Sequence, residues 1–459
     1  MRLRNKSIQQ RIRGSLKIEF AHQDITSFSG LELFRRYFRL IDLQTRVRQK
    51  FRSIGFSSDY SVIQMLMVLF SLWLTGGRRI YHLRWLENDP LVQRLCSLES
   101  LPSNRSVSRW LGQFGHDALQ ALIALNSELV LEKIQEWDLP RVTLDFDGTV
   151  LSCGPTIEGA ARGYNPQNRH AKSYYPFLCH VAQTGHFLLV HNRPGNVHDS
   201  KNGALEKIQA AIEQVRSVLP EAIIEVRLDS AFFQREIVEF LMASGVEYAI
   251  KVPMWNSAEF KGKIKTRKRW SRATAKLSYF HDTAFIKSWG RKLNVIFYRK
   301  KISDRKKTAS FQLDLFSPND GVYDYEILWT NKTTSAKSTL DFYNGRCAME
   351  KSISELKQEF AFDAVPTQSL QANSAYQQVS VLAHTLVRNF QCDTLQPPAR
   401  KRNAKRTALF KFLSLKTIRF EIINAAGQIL SENRLRMNQN RERESQFQEI
   451  DSNLNHLAA

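Results

Sequence analysis

The chain has 459 residues, 43% hydrophobic and 24% charged, enough for two or three domains with sizeable cores and unlike a disordered polymer. Its 66 Lys+Arg against 44 Asp+Glu leave a net charge of +22, which points to a polyanionic partner, most simply nucleic acid. Five scattered cysteines with no C-x-x-C pair argue against a disulfide framework or thiolate zinc site, and no apolar run reaches the roughly 20 residues of a membrane span, so a reducing cytoplasm is expected.

Residues 1–15 form a basic arm (Arg2, Arg4, Lys6, Arg11, Arg13) without the apolar region of a secretory signal. From Ser29, Leu31, Leu33, Phe34, Tyr37, Phe38 and Leu40 mark one apolar helix face. Ser57-Ser58-Asp59 is expected to cap a buried helix ending at Leu74. Asp89-Pro90 opens a short helix, and 101–114 reads as turn, cap and second helix, a helix-turn-helix pattern that presents Arg105 and Arg109 to DNA. A further helix over about 116–135 completes a helical DNA-binding domain, residues 1–138.

At Arg141 the period changes from helix to strand. Strands are predicted over 142–151, 174–182 and 186–192, then helix 200–217, strand 223–229, helix 231–244 and strand 248–252. Three antiparallel strands followed by helix, strand, helix, strand is the order of an RNase H-like α/β core, with its first part at 139–252. Residues 253–335 interrupt it as a β-rich insertion: 256–307 carry 17 Lys+Arg against 3 Asp+Glu, with Lys261, Lys263, Lys265, Arg267, Lys268 and Arg269 crowded at the start. Such a segment suits a phosphate backbone, with Lys265, Arg267, Lys268 and Arg269 as contacts. The core resumes over 336–395 with an amphipathic helix at 372–390, and 396–459 holds Pro397-Pro398, a basic cluster from Arg400 to Arg406, and a polar tail expected to be disordered from about Asn438.

One helix, 341–360, stands apart. Steps of three and four place Tyr343, Arg346, Glu350, Ile353, Lys357 and Phe360 on one face, an odd charge content for a core stripe but suited to a phosphodiester and a metal ion. Two more acids sit where strands end or turn: Asp147 in Asp145-Phe-Asp-Gly-Thr149, and Asp229 in Arg227-Leu-Asp-Ser230. Three carboxylates from three rigid elements are what metal-assisted phosphoryl transfer requires.

The Tyr-x2-Arg-x3-Glu-x6-Lys spacing resembles the signature of DDE transposases of bacterial insertion sequences. Gly30-Leu-Glu-Leu-Phe34, Thr75-Gly-Gly-Arg-Arg79, Gly163-Tyr164-Asn165 and Gly195-Asn196 extend the likeness over most of 20–435. The resemblance implies an RNase H-like core and Asp147, Asp229 and Glu350 as the catalytic triad holding Mg²⁺, with Mn²⁺ as substitute. It also implies Tyr343, Arg346 and Lys357 as phosphate contacts, and a β-strand insertion between the second and third acids. The expected activity is cut-and-paste transposition on terminal inverted repeats and target DNA, by a dimer synapsed on DNA. Asp145 shares the face of Asp147 and competes as first acid; Asp-x-Thr in the family pattern favours Asp147. Glu355 lies about 140° from the stripe, which favours Glu350. An RNase H-like structure-specific nuclease and a catalytically silent DNA-binding regulator are the alternatives.

Overall fold

The computed structural model describes residues 24–163, 165, 168, 170–197, 201, 203–254, 259–302, 322–395, 410–438 and 440–458. The basic arm, Tyr164, His198-Asp199, Pro397-Pro398 and the Arg400–Arg406 cluster lie outside them.

Helices α1 (Leu31–Leu40), α2 (Leu43–Lys50), α3 (Val62–Leu74), α4 (Pro90–Cys96), α5 (Asn104–Leu111) and α6 (His116–Glu136) come first. Asp89 caps α4 as expected, through the N–H groups of Leu91 and Val92. Helix α3 starts later than its sequence suggests. Ser61, not the Ser57–Asp59 group, is its cap, because Gln64 three residues on completes a reciprocal capping box.

The chain then forms β1 (Arg141–Gly148), β2 (Phe177–Val181), β3 (His186–His191), α7 (Ala204–Val218), β4 (Ile223–Leu228), α8 (Arg235–Ala243) and β5 (Glu247–Lys251). The basic region contributes α9 (Phe260–Thr266), β6 (Ser271–Arg272), β7 (Leu277–Ile286), β8 (Arg291–Lys301) and β9 (Tyr323–Thr330). One nine-stranded sheet takes all of these strands in the order β3-β2-β1-β4-β5-β9-β8-β7-β6. Strands β1, β2 and β3 pair antiparallel, β4 and β5 run parallel to β1, and β9 pairs antiparallel with β5. The basic β-region therefore extends the central sheet.

Alternation along β1 divides its faces. Val142, Leu144 and Phe146 are fully buried in the core that α7 and α8 cover. Thr143, Asp145 and Asp147 point to the other side, toward α10 (Ala336–Asn344), α11 (Cys347–Phe360) and α12 (Leu370–Thr394). Helix α12 is not amphipathic: 22 of its 25 residues are buried, so it has no solvent face. Some of its polar side chains are matched internally, Asn389 with His186 at 2.8 Å and Thr385 with Asn126 at 2.7 Å.

The helical segment has no core of its own. Residues of α1, α3, α5 and much of α6 share one apolar cluster with α11, α12, α13 (Leu415–Ile418) and α14 (Arg441–Ala458). The tail expected to be disordered is helix α14. Its stripe Phe447, Ile450 and Leu454 docks against the core, and Arg36 on α1 bonds Asp451 and Asn455. A largely polar composition hides a stripe that needs one apolar residue per turn.

Candidate active site

The first two acids stand at the carboxyl ends of adjacent parallel strands, where an open α/β sheet holds ligands. Asp147 closes β1 and Asp229 follows β4. Each keeps one oxygen for its own turn: Asp147 Oδ1 accepts the Gly148 N–H and Asp229 Oδ1 accepts the Ala231 N–H, both at 2.9 Å. Each turns the other oxygen to Arg346, whose Nη2 is 2.8 Å from Asp147 Oδ2 and 3.7 Å from Asp229 Oδ2. The side chains of Asp147, Asp229 and Arg346 are 18%, 30% and 12% exposed, so the cluster is half-buried but open to a ligand. Burial alone would favour neutral Arg346; the two carboxylates outweigh it and raise the guanidinium pKa.

Asp145, the rival first acid, is fully buried and fully engaged. Register puts it beside His180 on β2 and Arg227 on β4. Arg227 Nε and Nη2 donate to its two oxygens at 2.5 and 2.6 Å, and Arg227 Nη1 donates to the Phe342 carbonyl at 2.8 Å. His180 Nδ1 approaches Asp145 at 3.6 Å, while its Nε2 meets Ser352 Oγ on α11 at 3.1 Å. Burial works to raise the Asp145 pKa, but Arg227 and His180 prevail and hold it below the ordinary carboxylate value. Asp145 thus ties β1 to both α10 and α11, and Asp147 is left facing the opening.

The signature stretch is two helices, not one. Three-residue hydrogen bonds from Arg346 to Tyr343, Ala348 to Gly345 and Met349 to Arg346 tighten the chain between α10 and α11. Gly345 is required there: a Cβ would lie 2.3 Å from Arg227 Nη1. The expected stripe divides accordingly. Tyr343, Ile353 and Phe360 are buried, Tyr343 among Tyr298, Leu328 and Leu340. Lys357 Nζ donates to the Val150 carbonyl at 2.9 Å, and burial lowers its pKa. Glu350 is exposed, one turn beyond Arg346. Among the described residues no three His, Cys, Asp or Glu side chains are grouped to hold a metal ion. Glu355 is structural: it accepts the Leu415 N–H at 2.9 Å and pairs with Arg388.

Of the expected DNA contacts outside this centre, Arg105 and Arg109 are exposed on α5. Lys265, Arg267, Lys268 and Arg269 are exposed at the end of α9, where the last three line a cleft of about 420 Å³ with Phe280 and Asp282. Two glycine motifs quoted from the sequence meet back to back: a Cβ on Gly163 would lie 1.8 Å from the Gly195 carbonyl oxygen. Sequence reasoning missed Arg227, His180 and Ser352. For Arg227 a signal existed, since Arg-x-Asp places it on the face of Asp229 just as Asp145 shares that of Asp147.

The family model described as transposase DDE domain, group 1, matches residues 9–459. No curated protein matches the chain. Among solved structures it is similar to piggyBac transposase in a synaptic complex with hairpin DNA, at 10% identity and a TM-score of 0.42, over 80% of this chain and 76% of that one. A family match spanning nearly the whole sequence places the chain in group 1 of the DDE transposases.

Proposed function

We propose that this transposase is the cut-and-paste enzyme of a bacterial insertion sequence, cleaving the element's ends and joining them to target DNA on an RNase H-like core. The strand order β3-β2-β1-β4-β5 supports that core. The observation that carries the chemistry is the convergence of Asp147 and Asp229 on one cationic group. Hard carboxylate oxygens already gathered around a guanidinium suit Mg²⁺ or Mn²⁺. Asp147 and Asp229 would hold the ion, joined by Glu350 from α11. A bound divalent ion supplies charge stabilisation of the phosphodiester and an activated water. Arg346 is then available to a phosphate oxygen, Lys357 lines the same helix, and the basic β-region offers a sequence-independent track for the backbone. Two copies would act together on paired DNA ends.

A second reading, DNA binding without catalysis, draws on the exposure of Glu350 and on Asp147 and Asp229 being already paired with Arg346. Incubating DNA that carries the element ends with Mg²⁺ separates the readings. Cutting by wild type and none by Glu350→Gln supports the transposase. A mobility shift with no cutting supports a silent regulator, and cutting of branched DNA regardless of end sequence supports a structure-specific nuclease.

A further inference from the structure

A cluster of exposed aromatics lies in the helical segment, in sequence far from the acids. Residues Ile80–Trp85 form a 3-10 turn between α3 and α4. Its period of three sends Ile80, Leu83 and Leu86 into the core and leaves Tyr81 and Arg84 outside, with Trp85 beside them. Trp85 is 71% exposed and Tyr81 51%. The Arg84 guanidinium lies 4.7 Å from the Trp85 ring centre and 5.0 Å from that of Tyr81, and it donates to the Tyr81 hydroxyl. Three flat groups are thereby held together on a turn pinned from beneath.

The same turn faces the start of α5. Tyr81, Arg84, Glu87, Leu101, Ser103 and Asn104 line one cleft of about 330 Å³. Around it Arg79, Arg84, Arg105 and Arg109 are exposed, whereas Asp89 is engaged in capping α4 and bonding Thr26. Against these four exposed arginines the cleft has one acid, Glu87. Flat π-faces combined with cations suit a partner that is polyanionic and itself made of flat rings.

We propose that Tyr81, Arg84 and Trp85 form a stacking site for an unpaired DNA base, fed by phosphate contacts from Arg79, Arg105 and Arg109. The inference rests on the DNA-binding reading above and adds to it a place and a strand state. Stacking engages only a base free of its own stack, so the site discriminates DNA with a single-stranded end from a closed duplex.

The test uses the full chain and two labelled oligonucleotides, a duplex with a short thymine overhang and the same duplex blunt, read by fluorescence anisotropy. Trp85→Ala should weaken overhang binding on the order of ten-fold and blunt binding much less, and Trp85→Phe should recover most of the loss. A 2-aminopurine in the overhang should be quenched by wild type and not by Trp85→Ala. Equal losses on both DNAs, or none on either, overturn the site. An unchanged affinity with altered sedimentation of Trp85→Ala overturns it in favour of a contact between protein copies. If wild type binds neither oligonucleotide at low salt, the DNA-binding reading itself fails, a result distinct from the others. Because Trp85 is mostly exposed, thermal melting of Trp85→Ala should match wild type.

Discussion

Removing the Arg346 guanidinium would leave the facing oxygens of Asp147 and Asp229 without their shared cation. If Asp147 and Asp229 hold the ion as proposed, a metal and this guanidinium would compete for the same oxygens. Arg346→Gln should therefore tighten Mn²⁺ binding by DNA-free protein by about ten-fold, the equivalent of one charge-assisted hydrogen bond. Calorimetric titration checks this, with Asp147→Asn abolishing the signal; equal affinities in wild type and Arg346→Gln would remove the competition from the account. At Asp145 a different outcome is expected. Asp145→Asn strands the buried Arg227 charge and should cost about 3–5 kcal/mol in urea unfolding. The folded Asp145 pKa lies below the roughly 3.9 of an unfolded aspartate, so the unfolded chain takes up this proton first. Its contribution to stability is complete well above pH 4 and is lost as pH falls through the folded value. The acid limb of the Tm profile should be flatter in Asp145→Asn. Alternation alone could not separate Asp145 from Asp147, since both obey it, and only the family pattern Asp-x-Thr favoured Asp147. Their difference comes from His180 and Arg227, supplied by other strands.

Elements were more legible than their ends. The strands expected over 142–151 and 223–229, found at 141–148 and 223–228, and the capped helix at Pro90 were plain, since local chemistry decides them. What escaped was set at a distance. The break before α11 follows from Arg227 pressing on Gly345, and the all-round burial of α12 follows from helices and strands closing over its polar side. Helix α14 is the sharpest case, its docking resting on Phe447, Ile450 and Leu454. Leu454→Ala should destabilise the protein by about 2–5 kcal/mol, as a fully buried leucine does. A loss below about 0.5 kcal/mol in denaturant unfolding would mean that the helix is not held there.

At the scale of the molecule, charge and architecture act together. Of the net charge of +22, +14 falls in 256–307 (17 Lys+Arg against 3 Asp+Glu), the stretch that includes α9 and β6 to β8. Replacing Lys265, Arg267, Lys268 and Arg269 with Gln should lower the slope of log K against log salt by about three to four if each neutralises one phosphate. An unchanged slope would assign the attraction to other cations. The placement of β9 against β5 carries a further consequence. A trimmed enzyme lacking 260–330 would not be a smaller working protein: it would lay bare the edge of β5 that β9 covers at 249–251, an adhesive rim along which one copy could zip onto the next.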